Sequence, residues 1–183
     1  MKTIVLLFIL CSACAINAQS FHTEHNYKSK GIIIQNSYPK GGQRFTAPDG
    51  KEYVYVIFWT SITNSSDASM QLNLAFSANS FTIPSSGDIN FNVYLPDTEM
   101  KPEKAALPNY GLDIISYLNK NLDSKTKLGA TITPHSSYSF YTVAIANQGV
   151  EGTMRAGFEL QNEELIYGLN NHKISSGTIQ LVK

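Results

Sequence analysis

Four histidines, His22, His25, His135 and His172, are the side chains of this chain best suited to moving a proton near neutral pH or holding a transition metal. A zinc site needs three or four converging His, Cys or carboxylate ligands. The one local cluster is His22-Thr23-Glu24-His25, in a polar stretch without periodicity. Exported chains with His at position three can bind copper through the terminal amine; cleavage after Gln19 would place His22 there, whereas the preferred cleavage after Ala18 places it fourth. No metal site is expected. His135 sits between Pro134 and Ser136-Ser137, and His172 follows Asn170-Asn171, so both read as turn residues.

Nucleophilic and carboxylate chemistry leave equally little trace. A Gly-x-Ser-x-Gly elbow is missing, and both cysteines, Cys11 and Cys14, fall in the first eighteen residues. Glycosidases place two carboxylates roughly 5–9 Å apart. Asp97 with Glu99, and Glu163 with Glu164, are close in sequence without defining a cleft, and read as solvated. Gly41-Gly42 is not followed by the Lys-Ser/Thr and helix of a phosphate loop. Asp49-Gly50, Asn64–Asp67 and Ser85–Asp88 read as turns rather than calcium loops. No catalytic residue and no cofactor is predicted.

Ten tyrosines and Trp59 offer a softer chemistry, since apolar sugar faces pack on aromatic rings. Tyr53, Tyr55 and Trp59 lie in a strand-like run and are expected to pack on a sheet. Tyr94, opposite the apolar alternation of its own strand, is the predicted exposed aromatic and the ligand-binding candidate.

The elements that must position these residues begin after Met1–Ala18, which reads as a secretory signal peptide: Lys2, an apolar Ile4–Leu10, then small residues up to Ala18. The segment is too short to span a bilayer of ~30 Å. Export to the periplasm or outside is therefore expected, with residues 19–183 free of thiols. Ser12-Ala13-Cys14 resembles the end of a bacterial lipoprotein cleavage motif, although Cys11 stands where that motif has an aliphatic residue. The alternative is therefore a membrane-anchored lipoprotein acylated at Cys14. Fourteen basic residues face fourteen acidic ones, and loss of Lys2 leaves a slight negative balance, which argues against nucleic acid.

Gln19–Lys30 reads as a polar N-terminal arm and residues 31–183 as one domain. Gly31–Ser37 suits a first strand, and Tyr38–Gly50 is punctuated by Pro39, Gly41-Gly42, Pro48 and Asp49-Gly50 as turns. Tyr53–Thr63 is apolar on both faces, as in a strand buried on both sides or shielded by a neighbouring element. Met70–Phe76 and Ile89–Leu95 alternate with period two. Further strands are predicted over Leu128–Thr133, Tyr138–Ala146, Gly152–Leu160, Leu165–Leu169 and Thr178–Val182. Pro96–Pro108 reads as a long exposed connection, and Asn109–Leu122 as one amphipathic helix with Asn109 as N-cap. The predicted fold is all-β, an immunoglobulin-like antiparallel β-sandwich with one inserted amphipathic helix.

Tyr53–Ser66 (YVYVIFWTSITNSS) and Ile132–Ala146 (ITPHSSYSFYTVAIA) resemble the strands of secreted bacterial immunoglobulin-like domains of the telokin-like group. That resemblance implies an envelope-associated binding or accessory domain. Three functions are carried forward. The first is an exported non-enzymatic domain that binds a protein partner through the charged connection, with Asp97, Glu99, Lys101, Glu103 and Lys104 as contacts. A short Gly/Ser linker in place of Asp97–Leu107 is expected to spare folding and abolish that contact. The second is a carbohydrate-binding module using exposed tyrosines; the third is a small secreted hydrolase.

Overall fold

The computed structural model describes residues 23–29, 31–76, 81–83, 86–124 and 126–182. Its longest strand, β4 (Glu52–Asn64), grows from the Tyr53–Thr63 run, whose β-branched and aromatic side chains suit a pleated surface packed on both faces. One edge of β4 pairs with β9 (Ser137–Ala146). The other edge takes β2 (Ile32–Ser37) along residues 60–64 and β3 (Lys40–Thr46) along residues 52–57. Tyr38-Pro39 separates the two. Pro39 has no N–H to give to a ladder, and at this break the Trp59 N–H donates to Ser37 Oγ at 2.8 Å instead.

The first sheet is completed by β1 (Thr23–Ser29) outside β2, by β7 (Ser86–Tyr94) beside β9, and by β6 (Phe81–Ile83) on β7. The second sheet runs β10 (Ala156–Gln161), β11 (Glu164–Leu169), β12 (His172–Leu181), β5 (Met70–Phe76), β8 (Thr126–Ile132). Every pairing among these strands is antiparallel. One helix, α1 (Ile114–Asn121), lies between β7 and β8 in the chain. The fold is an all-β sandwich of two packed antiparallel sheets, with a single α-helix among the described residues.

Two apolar clusters hold it together. The first lies between the sheets: Ile34, Phe58, Ile62 and Phe140 from one side meet Leu72, Phe158 and Leu165 from the other. The second lies on the far face of the first sheet, where Tyr55, Ile57, Trp59, Tyr141, Val143 and Ile145 are buried beneath Met100, Tyr110, Ile114 and Leu118. Residues 96–122 are thus a third layer. This layer is the neighbouring element that the two apolar faces of β4 require.

Several expectations are corrected. Residues 23–29 of the polar arm form β1, paired with β2; strand pairing uses backbone groups and needs no apolar alternation. The turn-rich Tyr38–Gly50 contains β3, whose register shifts between Gly41 and Gln43. Gly41 (φ 124°) is required there, because a Cβ would sit 2.7 Å from the Tyr55 carbonyl oxygen. His172 opens β12 rather than occupying a turn. The helix is shorter than predicted. Asn109 (φ 51°) and Tyr110 (φ 54°) are left-handed, which breaks the chain before α1, and Asp113 caps α1 by accepting the Ser116 N–H at 3.3 Å. Residues 1–22, on which the expected signal peptide, Cys11, Cys14 and His22 fall, lie outside the described residues.

Candidate functional site

Pro96–Leu122 is the segment on which the predicted partner contacts fall, and it is anchored throughout. Glu99 forms an isolated antiparallel bridge to Phe140, and the Met100 N–H donates to the Ser139 carbonyl at 2.9 Å. These extend the first sheet past the end of β7. Met100 is 1% exposed, within the outer cluster. Lys40 Nζ donates to the Ala105 and Leu107 carbonyls at 2.7 and 2.8 Å and lies 4.2 Å from the Tyr110 ring centroid. Pro102–Lys104 is a 3-10 turn, and Pro108–Gly111 is a tight turn through the left-handed Asn109 and Tyr110.

Replacement of Asp97–Leu107 by a short linker would therefore strip part of a core layer. The expectation that the fold tolerates it is withdrawn. Of the predicted contacts, Asp97, Glu99, Lys101 and Glu103 are exposed and Lys104 is half-buried. They form a mixed-charge rim on a fixed backbone.

Tyrosine hydroxyls supply much of the anchoring. Tyr141 donates to the Tyr110 carbonyl at 2.8 Å, Tyr110 to the Tyr38 carbonyl at 2.6 Å, and Tyr94 to the Leu122 carbonyl at 2.7 Å. Each ring buries apolar area while its polar tip satisfies a backbone acceptor. The expectation that Tyr94 is exposed is thus overturned: it is 2% exposed, because the face opposite the inter-sheet core is covered by α1 and its flanks. Burial pushes its phenol up to about 12.

A cleft of about 400 Å³ opens beside that hydroxyl. Its floor is the outer face of the first sheet, at Asn92, Tyr94 and Ile145, where Asn92 of β7 pairs with Ile145 of β9. One wall is the Ala47–Lys51 turn and Tyr53 at the start of β4; the other is the end of α1 and Leu122–Ser124. The turn is built by its sequence: Asp49 accepts the Lys51 N–H at 3.1 Å, and Gly50 (φ 84°) takes the left-handed conformation. Asp49 and Lys51 pair at 2.7 Å. The Lys51 ammonium holds the Asp49 carboxyl below its ordinary range, and Asp49 raises Lys51. Asn92 Oδ1 is buried without a hydrogen-bond partner.

The other sequence candidates do not converge. His135 Nε2 lies 3.1 Å from Asp67 Oδ1 on an exposed turn. Glu163 occupies the β10–β11 turn with φ 84°, and Glu164 bonds Ser175 at the surface. Among the described residues, no three His, Cys, Asp or Glu side chains are grouped to hold a metal ion. Among them, too, no helix is long and apolar enough to cross a membrane.

Sequence reasoning missed the cleft. Asp49 reads as a turn residue and Tyr53 as a sheet residue, and both hold locally. The one available signal was Asn92, a polar residue beside Tyr94 on the covered face. Comparisons with protein-family models, with curated proteins and with solved structures return no match for this chain. The class defined by the fold and its surfaces is accordingly an all-β sandwich carrying a tyrosine-pinned outer layer.

Proposed function

We propose that this chain is an exported, non-enzymatic binding domain that recognises a protein partner at the cell envelope or outside it. The carrying observation is the rim Asp97, Glu99, Lys101 and Glu103, held in solvent by a backbone that is bridged to β9 at Glu99 and sealed by Met100. A surface fixed before contact loses less conformational entropy on binding than a mobile loop does. Charges of both signs on such a surface favour a partner of complementary pattern and set its orientation. The resemblance of Tyr53–Ser66 and Ile132–Ala146 to telokin-like immunoglobulin domains supports the same reading, and export rests on Met1–Ala18.

The test is a triple charge reversal, Asp97→Lys with Glu99→Lys and Glu103→Lys, which leaves Met100 and the backbone bridge in place. Crosslinked capture from native envelope and culture fractions is then compared between parent and variant at matched melting temperature. Salt-sensitive recovery of one protein by the parent, lost in the variant, supports the assignment. Equal recovery by both removes the rim from it.

A further inference from the structure

We propose that the cleft between the Ala47–Lys51 turn and the end of α1 is a binding site for a short neutral saccharide. Three observations carry this, none of which involves the charged rim. The cleft, at about 400 Å³, falls within the roughly 300–1,000 Å³ common for small-ligand sites. Its charged lining balances, with Asp49 and Asp123 against Lys51 and Lys120, and Asp49 is already paired with Lys51. Such a lining selects neither an anion nor a cation, yet it presents donors and acceptors together, as a ring bearing several hydroxyls requires.

The third observation is Asn92 Oδ1, a buried acceptor without a partner on the cleft floor. Buried acceptors are nearly always satisfied, and an orphan lowers stability unless something else donates to it. Oδ1 itself is closed to solvent, so Asn92, which lines the cleft, turns its side-chain amide toward the opening for a ligand hydroxyl to supply that donor. Tyr53 adds the aromatic surface on which the apolar face of a sugar packs.

The experiment is a two-dimensional amide NMR titration of the purified protein with N-acetylglucosamine, cellobiose and maltotriose, and separately with calcium chloride and inorganic phosphate. The expected result is saturable shifts for at least one saccharide, concentrated at Lys51, Tyr53, Asn92, Asn119 and Ser124. Asn92→Ala should weaken that binding roughly tenfold, the size of one buried hydrogen bond; because Asn92 also bonds the Tyr94 side chain, the change in affinity and not the melting temperature decides the proposal. A purely structural Asn92 would leave the saccharide affinity of the folded variant unchanged. The proposal is overturned if no saccharide shifts these amides, if only calcium or phosphate does, or if Asn92→Ala binds as tightly as the parent. Rim-dependent protein capture is read separately, so either reading can fail alone.

Discussion

The side-chain amide of Asn36 on β2 exchanges two hydrogen bonds with the backbone of Phe158 on β10, 122 residues away: its Nδ2 donates to the Phe158 carbonyl at 3.1 Å, and its Oδ1 accepts the Phe158 N–H at 2.9 Å. Thr60 Oγ1 also donates to Oδ1, at 2.9 Å. The amide occupies the place of a neighbouring strand, so the outer edge of β10 is closed by a residue of the opposite sheet. An unpaired strand edge invites pairing with other chains, and here one side chain both blocks it and ties the sheets together. Asn36→Ala leaves a donor, an acceptor and a hydroxyl unsatisfied in a buried setting, at ~1–3 kcal/mol each before relaxation. The expected loss is about 3 kcal/mol in urea unfolding with an unchanged m-value, together with faster hydrogen exchange at the Phe158 amide.

Gly157 is a consequence of that contact, since a Cβ there would lie 2.6 Å from Asn36 Cγ. Gly177 is more severe: at φ 152°, its Cβ would meet the Asn73 carbonyl oxygen at 2.0 Å, where β12 pairs with β5. Gly177→Ala should destabilise by roughly 2–4 kcal/mol, through backbone displacement. Gly149→Ala, which meets nothing within 4 Å, should stay within about 0.5 kcal/mol. Paired thermal melts decide it, and equal melting temperatures would refute the close approach.

The outer layer is a load on stability that a free connection would not carry. Leu118 is 0% exposed in the outer cluster, whereas Ile115, three residues earlier on α1, is 45% exposed. Leu118→Ala should lose about 3 kcal/mol, as buried leucines do when truncated to alanine, and Ile115→Ala less than about 1 kcal/mol. A similar small loss for both would mean the helix is dispensable to the fold.

Tyr167 is buried between the sheets, packed against Phe158 and Phe76, and its hydroxyl has no hydrogen-bond partner. Removing an unsatisfied polar group while keeping the ring should be neutral or favourable. Tyr167→Phe is expected to hold or raise stability, by up to about 1 kcal/mol in denaturant unfolding. A loss greater than that would reveal a partner for the hydroxyl.

Alkaline stability follows from the tyrosines. Burial raises the phenols of Tyr94 (to about 12), Tyr110, Tyr117, Tyr138, Tyr141 and Tyr167 above their ordinary value near 10. Between about pH 10 and 12 the folded state then binds more protons than the unfolded one, so stability is intact below pH 10 and falls as pH rises. For Tyr94 alone the loss is on the order of 2 kcal/mol across that window. Tyrosine absorbance at alkaline pH should show an early non-cooperative phase followed by a late one coincident with unfolding. Smooth titration of every tyrosine near pH 10 in a folded protein would contradict the burial.

Much of the architecture was written locally. Period-two alternation over Met70–Phe76 and Ile89–Leu95, and the double-faced run Tyr53–Thr63, determined an all-β chain with one strand covered on both sides. Spacing along Asn109–Leu122 determined a helix, though its start falls at Ile114 because Asn109 and Tyr110 are left-handed, and the lack of motif chemistry left binding as the leading function. Side-chain pattern carries these because it reports which face leaves water. It does not report what covers that face, so Pro96–Pro108 read as a solvated connection when Met100 within it in fact seals the first sheet. Strands whose sequences lack apolar alternation, such as β1 and the glycine-rich β3, have no period-two pattern to find. Only the tertiary structure brought Asp49, Asn92 and Asp123 to one cleft and laid Asn36 against Phe158. Contacts between residues far apart in the chain depend on sheet order and register, which are set by packing of the whole molecule rather than by any local run of residues.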